Sequence, residues 1–331
     1  INFAILFLQS GQKITIISNF VEKSKKTAHV SGNDILCWGR FVTWTQKDLP
    51  DLGRMDAIEA AASANLFSRQ EERTMEENKT KAKIIAVAGK GGVGKTSLCS
   101  AIVRELVEAF PGKRILAIDA DPAVGLSTAL GVHVEHTIDD IRNEVIETSE
   151  RGEYRQAIEV LNEARFRIFD TMVECDGFAF LAIGRPEAAG CYCSVNSYLK
   201  EVISMLANDF DYVVIDGEAG IEQISRRVME QVSHLVLVTD QSAKGVNVCR
   251  EIKEAADDLI TYERIGMIVN RVVDPSMNDL VKLDGVDVLA YIPTDPIHAA
   301  NDIHGKSVFE LPEDSNIMVG VHQALHNLGI F

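Results

Sequence analysis

The 331-residue chain lacks the features of a secreted or membrane-embedded protein. Its six cysteines do not form the regularly spaced framework of a small disulfide protein, which indicates a reducing compartment. The apolar opening segment is interrupted at Gln9 and has no basic start typical of a signal peptide, and no other apolar run reaches transmembrane length. We therefore expect a soluble, cytoplasmic protein.

The chain also has no excess of basic residues. Residues 1–80 contain 10 Lys and Arg against 10 Asp and Glu, so the formal charge of −16 falls entirely on residues 81–331. Such an acidic domain repels phosphate backbones and anionic lipids. No Lys or Arg follows Lys306, so a basic membrane-binding helix is absent from the end of this sequence. These features weigh against nucleic acid and membranes as partners.

From Ile84 onward, short apolar segments alternate with longer segments of helical pattern. Continuous apolar strands joined by helices are typical of a parallel sheet that is covered on both faces. We predict an α/β domain over residues 81–331 with a mostly parallel, twisted sheet and helices on both faces. Its last helix is predicted to bury Ile317, Val321, Leu325 and Leu328. The predicted strands are KIIAVAG, RILAIDAD, FAFLAIG, YVVIDGE, HLVLVTD, IGMIVNR and VLAYIP.

Residues 1–80 do not share this alternation. They contain both tryptophans, Trp38 and Trp44, and residues 61–80 have the pattern of a polar helix or linker. We interpret residues 1–80 as an N-terminal extension without a catalytic role, and a nucleotide-binding domain could begin at Met75.

The segment GKGGVGKT follows a predicted strand, opens a helix and matches G-x-x-x-x-G-K-[ST] at every fixed position. Its glycines let backbone N–H groups surround the β-phosphate, and the helix N-terminus adds partial positive charge. Lys95 is predicted to reach the β- and γ-phosphates, and the Thr96 hydroxyl to coordinate Mg²⁺. The sequence thus predicts a P-loop NTPase that hydrolyses ATP with Mg²⁺. The nucleotide-binding candidates in this segment are Gly89, Lys90, Gly91, Gly92, Val93, Gly94, Lys95, Thr96 and Ser97.

Lys90, directly after the first glycine, gives the segment a second lysine. This resembles the deviant Walker A class, which includes the MinD and ParA ATPases and the nitrogenase iron protein. The resemblance implies a face-to-face homodimer in the ATP-bound state, in which Lys90 crosses to the phosphates of the other subunit. Such a lysine can neutralise charge that develops on the γ-phosphoryl group. A solvated lysine is the alternative.

Three aspartates follow predicted strands, at the edge where open α/β sheets bind ligands. The resemblance implies that Asp119 supports the hydrated Mg²⁺ and that Asp121 orients the attacking water. A solvated turn before Pro122 is the alternative for both. Asp216 occupies the Walker B position beside Mg²⁺, and residues 218–220 would sense the γ-phosphate.

The adenine and ribose contacts of the class match two further segments, IVNR and IPTD. The nucleotide-binding candidates there are Asn270, Arg271, Pro293 and Asp295. Asn and Pro-x-Asp also end strands for purely local reasons, so this alternative stays open.

The segment GCYCS holds Cys191 and Cys193, which could be metal ligands, a redox pair or small packed residues. A disulfide between positions i and i+2 would be strained. The pair and its surroundings, GRPEAAGCYCSVN, resemble the CooC family, the ATPases that help to insert nickel into carbon monoxide dehydrogenase. The resemblance covers roughly residues 83–330. It implies a metal-binding role for Cys191 and Cys193 and carbon monoxide dehydrogenase as the client.

Two thiolates are too few for a closed soft-metal site, which uses four ligands. A two-fold dimer axis near the loop would bring two pairs together, so we expect one Ni²⁺ or Zn²⁺ to be shared between two chains. Two alternatives remain: a redox ATPase with an iron–sulfur cluster, like the nitrogenase iron protein, and a MinD- or ParA-like positioning ATPase without a metal. Cys99, Cys175 and Cys249 are predicted to be packing residues.

Overall fold

The computed structural model describes residues 81–121, 125–151, 154–184, 193–217 and 231–331, Ile221 and Val228, and four short strands in the first 80 residues. The chain divides into two compact units, Ile1–Lys79 and Thr80–Phe331. In the first unit, four strands form two antiparallel pairs: β1 (Ile14–Ile16) with β2 (Ala28–Val30), and β3 (Ile35–Leu36) with β4 (Thr43–Trp44). The polar helix or linker predicted for residues 61–80 lies outside the described residues.

The second unit is built on an eight-stranded sheet with the order β12-β11-β10-β5-β9-β6-β8-β7. Every pairing in it is parallel except that of β7 with β8. The predicted parallel α/β fold is therefore confirmed. The strands are β5 (Lys83–Gly89), β6 (Ile115–Asp119), β7 (Val173–Glu174), β8 (Ala179–Ala182), β9 (Tyr212–Asp216), β10 (His234–Thr239), β11 (Arg264–Val272) and β12 (Asp287–Pro293).

Helices connect these strands. No helix in the described part of the chain has both the length and the apolar character needed to cross a membrane. The helices are α1 (Lys95–Ala109), α2 (Gly125–Leu130), α3 (Ile138–Glu150), α4 (Tyr154–Thr171), α5 (Cys193–Ala207), α6 (Ala243–Leu259), α7 (Pro296–Ile303) and α8 (Asn316–Leu328), with short 3-10 turns at Pro275–Leu280 and Val308–Glu310.

Both faces of the sheet are covered, which explains why its strands are apolar throughout. Successive residues of a strand point to opposite faces, so Ile84 packs with α3, α4, α5 and α6 in one buried cluster. Ile85 packs with α1, α2 and α8 in the other. The predicted inner face of the last helix is confirmed, because Ile317, Val321, Leu325 and Leu328 are all buried.

The strand order determines where chemistry can occur. Strand β5 lies between β10 and β9, so the loop that follows it emerges at the middle of the carboxyl edge of the sheet. Ligands of open α/β sheets bind at this edge, where strand order reverses. The residues that end β6, β9, β10 and β11 therefore surround the β5–α1 loop.

Candidate functional site

The P-loop runs from the end of β5 into α1, and its glycines are required by the backbone. A Cβ on Gly89 would lie 2.2 Å from the carbonyl oxygen of Val238 in the neighbouring strand β10. Gly94 has a φ of 94°, and a Cβ there would lie 2.6 Å from the Asn270 amide. A residue with a side chain would be strained or would collide at these positions. Gly94 is also the N-cap of α1, so no side chain competes with a ligand for the first N–H groups of this helix.

Lys95 is the first residue of α1, and its side chain turns back to the loop, as a phosphate-binding lysine should. Its ammonium Nζ is 3.4 Å from the carbonyl oxygen of Lys90, and the residue is 8% exposed. Its charge acts on the nearby Asp216 carboxylate, and a buried ammonium beside this loop can also pair with an anionic ligand. The prediction that Lys95 contacts the β- and γ-phosphates therefore fits its location.

Lys90 is held by an acidic residue that the sequence interpretation did not include. Its Nζ lies 3.1 Å from Oδ2 of Asp240, and the two side chains are 28% and 31% exposed. The pairing of Gly89 with Val238 brings the residues after β5 and β10 side by side. Lys90 is thus ion-paired within its own chain rather than a freely solvated lysine.

Asp240 is held in place independently of Lys90. Its Oδ1 accepts hydrogen bonds from the backbone N–H and the hydroxyl of Ser242. A Cβ on Gly245 would lie 2.5 Å from the same oxygen, so the glycine leaves room for the carboxylate. Burial alone would raise the pKa of Asp240, but the hydrogen bonds from Ser242 and Lys90 bring it below its usual value.

Two carboxylates lie side by side at the ends of neighbouring strands. Asp119 of β6 pairs in register with Asp216 of β9, and they are 0% and 1% exposed. Burial, together with the charge of Asp216, raises the pKa of Asp119 to about 7. Burial raises the pKa of Asp216 to about 6, although Thr96, Cys99 and the charge of Lys95 oppose the rise. The alternative of a solvated turn is therefore wrong for Asp119.

The partners of these carboxylates differ. Asp119 accepts hydrogen bonds from the backbone N–H groups of Asp121 at 3.0 Å and Leu126 at 2.9 Å. Both oxygens of Asp216 are buried without a donor at hydrogen-bonding geometry among the described residues. Buried carboxylate oxygens without a donor, next to a second carboxylate, are suited to bind a cation, and hard divalent cations prefer oxygen ligands.

The residues at this position therefore fit Mg²⁺. Asp216 and the nearby Thr96 hydroxyl would hold it, with Asp119 as their neighbour. Asp121 lies two residues after Asp119 and is half-buried. Its assignment as the residue that orients the attacking water stays a prediction.

Asn270 and Arg271 reach the P-loop from β11, which lies two strands from β5. The amide Nδ2 of Asn270 donates to the carbonyl oxygen of Val93 at 2.8 Å. The guanidinium Nη1 of Arg271 donates to the carbonyl oxygen of Gly92 at 2.7 Å. The structure thus brings both residues to the phosphate loop, whereas their contact with adenine or ribose stays a prediction.

Asp295 has a local structural role. One carboxylate oxygen accepts the backbone N–H groups of Ile297 and His298 at the start of α7. The other accepts the N–H of Ile317 at the start of α8, at 3.0 Å. The carboxylate therefore caps two helices, which favours the local interpretation of Pro-x-Asp. Pro293 is the last residue of β12, and its nucleotide contact also stays a prediction.

The two cysteines of GCYCS are only partly within the structure. Cys191 and residues 218–220 lie outside the described residues, and Cys193 is the first residue of α5, with a side chain that is not described. Within the described ranges, no three His, Cys, Asp or Glu side chains form a group that could hold a metal ion. The metal site at Cys191 and Cys193 thus stays a prediction.

The other cysteines in the second unit can be assessed directly. Cys99 and Cys249 are completely buried, which confirms them as packing residues. Burial raises the pKa of Cys249 to about 11, so its thiol stays protonated at neutral pH. Cys175 is half-buried beside the edge strand β7.

Comparison with known proteins agrees with this geometry. Residues 84–308 match the model of the CobQ/CobB/MinD/ParA nucleotide binding domain. The chain is 37% identical over 245 residues to an uncharacterized ATP-binding protein of Methanocaldococcus jannaschii, a match that covers 72% of this chain and 96% of that protein. It is 31% identical over 238 residues to the carbon monoxide dehydrogenase accessory protein CooC of Rhodospirillum rubrum, with coverage of 69% and 89%.

Solved structures share the fold. The cell division ATPase MinD of Pyrococcus furiosus superimposes with a TM-score of 0.55 at 22% identity, covering 75% of this chain and 99% of that one. MinD of Pyrococcus horikoshii, in complex with Mg-ADP, gives a TM-score of 0.54 at 21% identity, with coverage of 73% and 94%. The chain belongs to the CobQ/CobB/MinD/ParA nucleotide-binding family and is an ATP-binding P-loop ATPase of the MinD/ParA type.

Proposed function

We propose that this protein is a cytoplasmic, ATP-dependent maturation factor that binds nickel and assists its insertion into a carbon monoxide dehydrogenase. The observation that carries the proposal is the pair Cys191 and Cys193 in a chain that is 31% identical to the accessory protein CooC over 238 residues. The thiolates of such a pair bind soft or borderline metal ions, whereas Mg²⁺ prefers oxygen ligands.

In this proposal, ATP binding assembles a homodimer. Lys95 and the P-loop hold the phosphates of their own subunit, and Lys90 leaves Asp240 for the phosphates of the other subunit. Bound Mg²⁺ would neutralise charge on the β- and γ-phosphates. Asp121 would orient the water that attacks the γ-phosphoryl group.

The described elements on either side of residues 185–192 support a link between the metal and the nucleotide. The backbone N–H of Ile183 donates to the carbonyl oxygen of Asp119, so the chain after β8 leaves the sheet beside the carboxylate site. Cys193 then begins α5. If two copies meet across this edge, their cysteine pairs approach a common axis. Metal binding and ATP-dependent dimerisation would then stabilise each other.

The proposal is tested by activation of a nickel-free carbon monoxide dehydrogenase. The nickel-loaded protein with ATP is expected to restore dehydrogenase activity faster than the same amount of free nickel. Cys191→Ser and Cys193→Ser should lose this effect, because each removes half of the thiolates. Cys249→Ser is the matched control and should retain it. Activation by both loop variants at the wild-type rate would contradict a role for the pair.

A positioning ATPase without a metal is the second candidate. The chain is 24% identical over 243 residues to the septum site-determining protein MinD of Bacillus subtilis. A protein of this kind would dimerise with ATP but would bind neither nickel nor zinc tightly. Metal analysis after addition of nickel therefore separates the two candidates.

Residues 1–80 are proposed to be dispensable for ATP hydrolysis. The family match begins at residue 84, and the second compact unit begins at Thr80. A chain that starts at Met75 is therefore expected to keep the nucleotide affinity and turnover of the full chain within about twofold, since it retains the whole core of the second unit. Steady-state ATPase assays and circular dichroism measure this. Loss of the folded signal or of nucleotide binding would show that the extension is structural.

A further inference from the structure

Arg271 has an unusual backbone conformation. It is the one non-glycine residue with a positive φ in the described part of the chain, at 57°. This left-handed conformation is unfavourable for residues that carry a Cβ. Arg271 also lies where the register between β11 and β12 shifts, between the pairs Asn270–Ile292 and Val272–Pro293. Irregularities of this kind redirect a side chain and often occur beside active sites.

The redirected side chain reaches the P-loop across the end of β10. Arg271 donates to the carbonyl oxygen of Gly92 at 2.7 Å, and its neighbour Asn270 donates to the next carbonyl, that of Val93, at 2.8 Å. Two consecutive peptide groups of the loop are therefore held from the same strand. Both contacts are made to the backbone of the phosphate loop, so they do not depend on which nucleobase the ligand carries.

Holding these carbonyls also fixes the N–H groups on the other side of each peptide. A trans peptide is planar, so the carbonyl of Gly92 and the N–H of Val93 point in opposite directions. The same holds for the carbonyl of Val93 and the N–H of Gly94. With the carbonyls turned toward β11, the N–H groups turn away from it. Backbone N–H groups of this loop are the donors that surround a bound phosphate.

We propose that Arg271 is a positioning residue for phosphate binding, which orients the Gly92–Val93 peptide through its carbonyl rather than contacting the nucleobase. The strained backbone at Arg271 is the conformation that brings its guanidinium to this carbonyl. The proposal rests on the nucleotide binding of the family and is independent of the nickel role. A failure here would leave the proposed function untouched.

The test compares ligands with and without a nucleobase. Arg271→Ala is expected to lower the affinities for Mg·ADP and for Mg·pyrophosphate by the same factor. That factor is about tenfold, because one charge-assisted hydrogen bond is lost. Both affinities are measured by competition with a fluorescent ADP analogue. The ratio of ADP to GDP affinity should stay unchanged. Weaker ADP binding with a collapsed ADP-to-GDP ratio would overturn the proposal and assign Arg271 to the base.

Arg271→Gly separates positioning from a role in folding. Glycine adopts a positive φ freely, so the ligand-free protein should melt within a few degrees of wild type although phosphate affinity falls about tenfold. A large loss of thermal stability in this variant would instead assign Arg271 a structural role.

Arg114→Ala is the matched control. Arg114 directly precedes β6, at the edge of the sheet opposite to the phosphate loop. Its side chain is 58% exposed, and its Nε lies 3.9 Å from Oδ2 of Asp211. This control should leave both affinities unchanged.

Discussion

Lys90→Ala is expected to lower ATP turnover about 10³-fold or more and to abolish ATP-dependent dimerisation. In the proposed dimer the ammonium of Lys90 neutralises charge on the γ-phosphoryl group of the other subunit. In the variant, Lys95 and the loop N–H groups still bind the phosphates of their own subunit, so the affinity for ADP should fall by less than about tenfold. Steady-state kinetics, ADP titration and light scattering give the three values. Turnover at the wild-type rate would contradict the deviant Walker A assignment.

Asp240→Asn complements this variant, because it removes the ion pair with Lys90 but keeps the lysine. The ion pair is about one-third exposed, so solvent screening limits its contribution to less than about 1 kcal/mol. We expect the variant to dimerise with ATP at a several-fold lower protein concentration than wild type. Dimerisation that is weaker than in wild type would show that Asp240 instead helps to form the dimer.

The architecture of the second unit could be predicted because it depends on patterns within short segments of the sequence. A strand buried on both faces needs apolar residues throughout, and seven such segments are present in the sequence. Strand β7 is not predictable in this way, because two residues, Val173 and Glu174, are too few to show a pattern. The phosphate loop was also predictable, because its glycines must allow close backbone contact and its lysine must follow at a fixed spacing.

Asp240 shows what the sequence alone could not supply. It lies 150 residues from Lys90 along the chain, and the two meet only because β10 pairs with β5. Strand order is set by the packing of the whole sheet, so no spacing rule connects these residues. The available signal was an acidic residue directly after a buried strand, HLVLVTD, at the edge where ligands bind.

The matches IVNR and IPTD show a second limit. Each pattern identified residues near the site but not the atoms that they contact. Asp295 satisfies the N–H groups of two helices, a local need that also explains a Pro-x-Asp sequence. Arg271 contacts a loop carbonyl because of a positive φ that the sequence did not indicate.

Cys191→Ser and Cys193→Ser are each expected to abolish tight binding of Ni²⁺ or Zn²⁺. In a four-ligand site built from two chains, either substitution removes two of the four thiolates at once. Thiolates must lose their protons to bind, so binding should release protons and the affinity should fall as the pH is lowered. Metal titration in weakly buffered solution at several pH values measures the affinity and the proton release together.

Cys99→Ser and Cys249→Ser are the controls for this prediction. Both thiols are completely buried among packed residues, and burial raises the pKa of each. They should leave metal binding intact, although each loses some packing. The loop variants should still hydrolyse ATP, because Lys95 and Thr96 are unchanged. Loss of ATP hydrolysis in the loop variants would place the cysteines in the nucleotide site instead.

The measurement that tests the shared metal site most directly is the ratio of bound metal to chain, determined together with the mass of the species that carries it. Elemental analysis and light scattering are applied to the nickel-loaded protein with ATP and with ADP. Two thiolates per chain and four soft ligands per ion predict one metal for every two chains, carried by a dimer. One metal per monomer, or unchanged binding in both loop variants, would contradict a site shared between subunits.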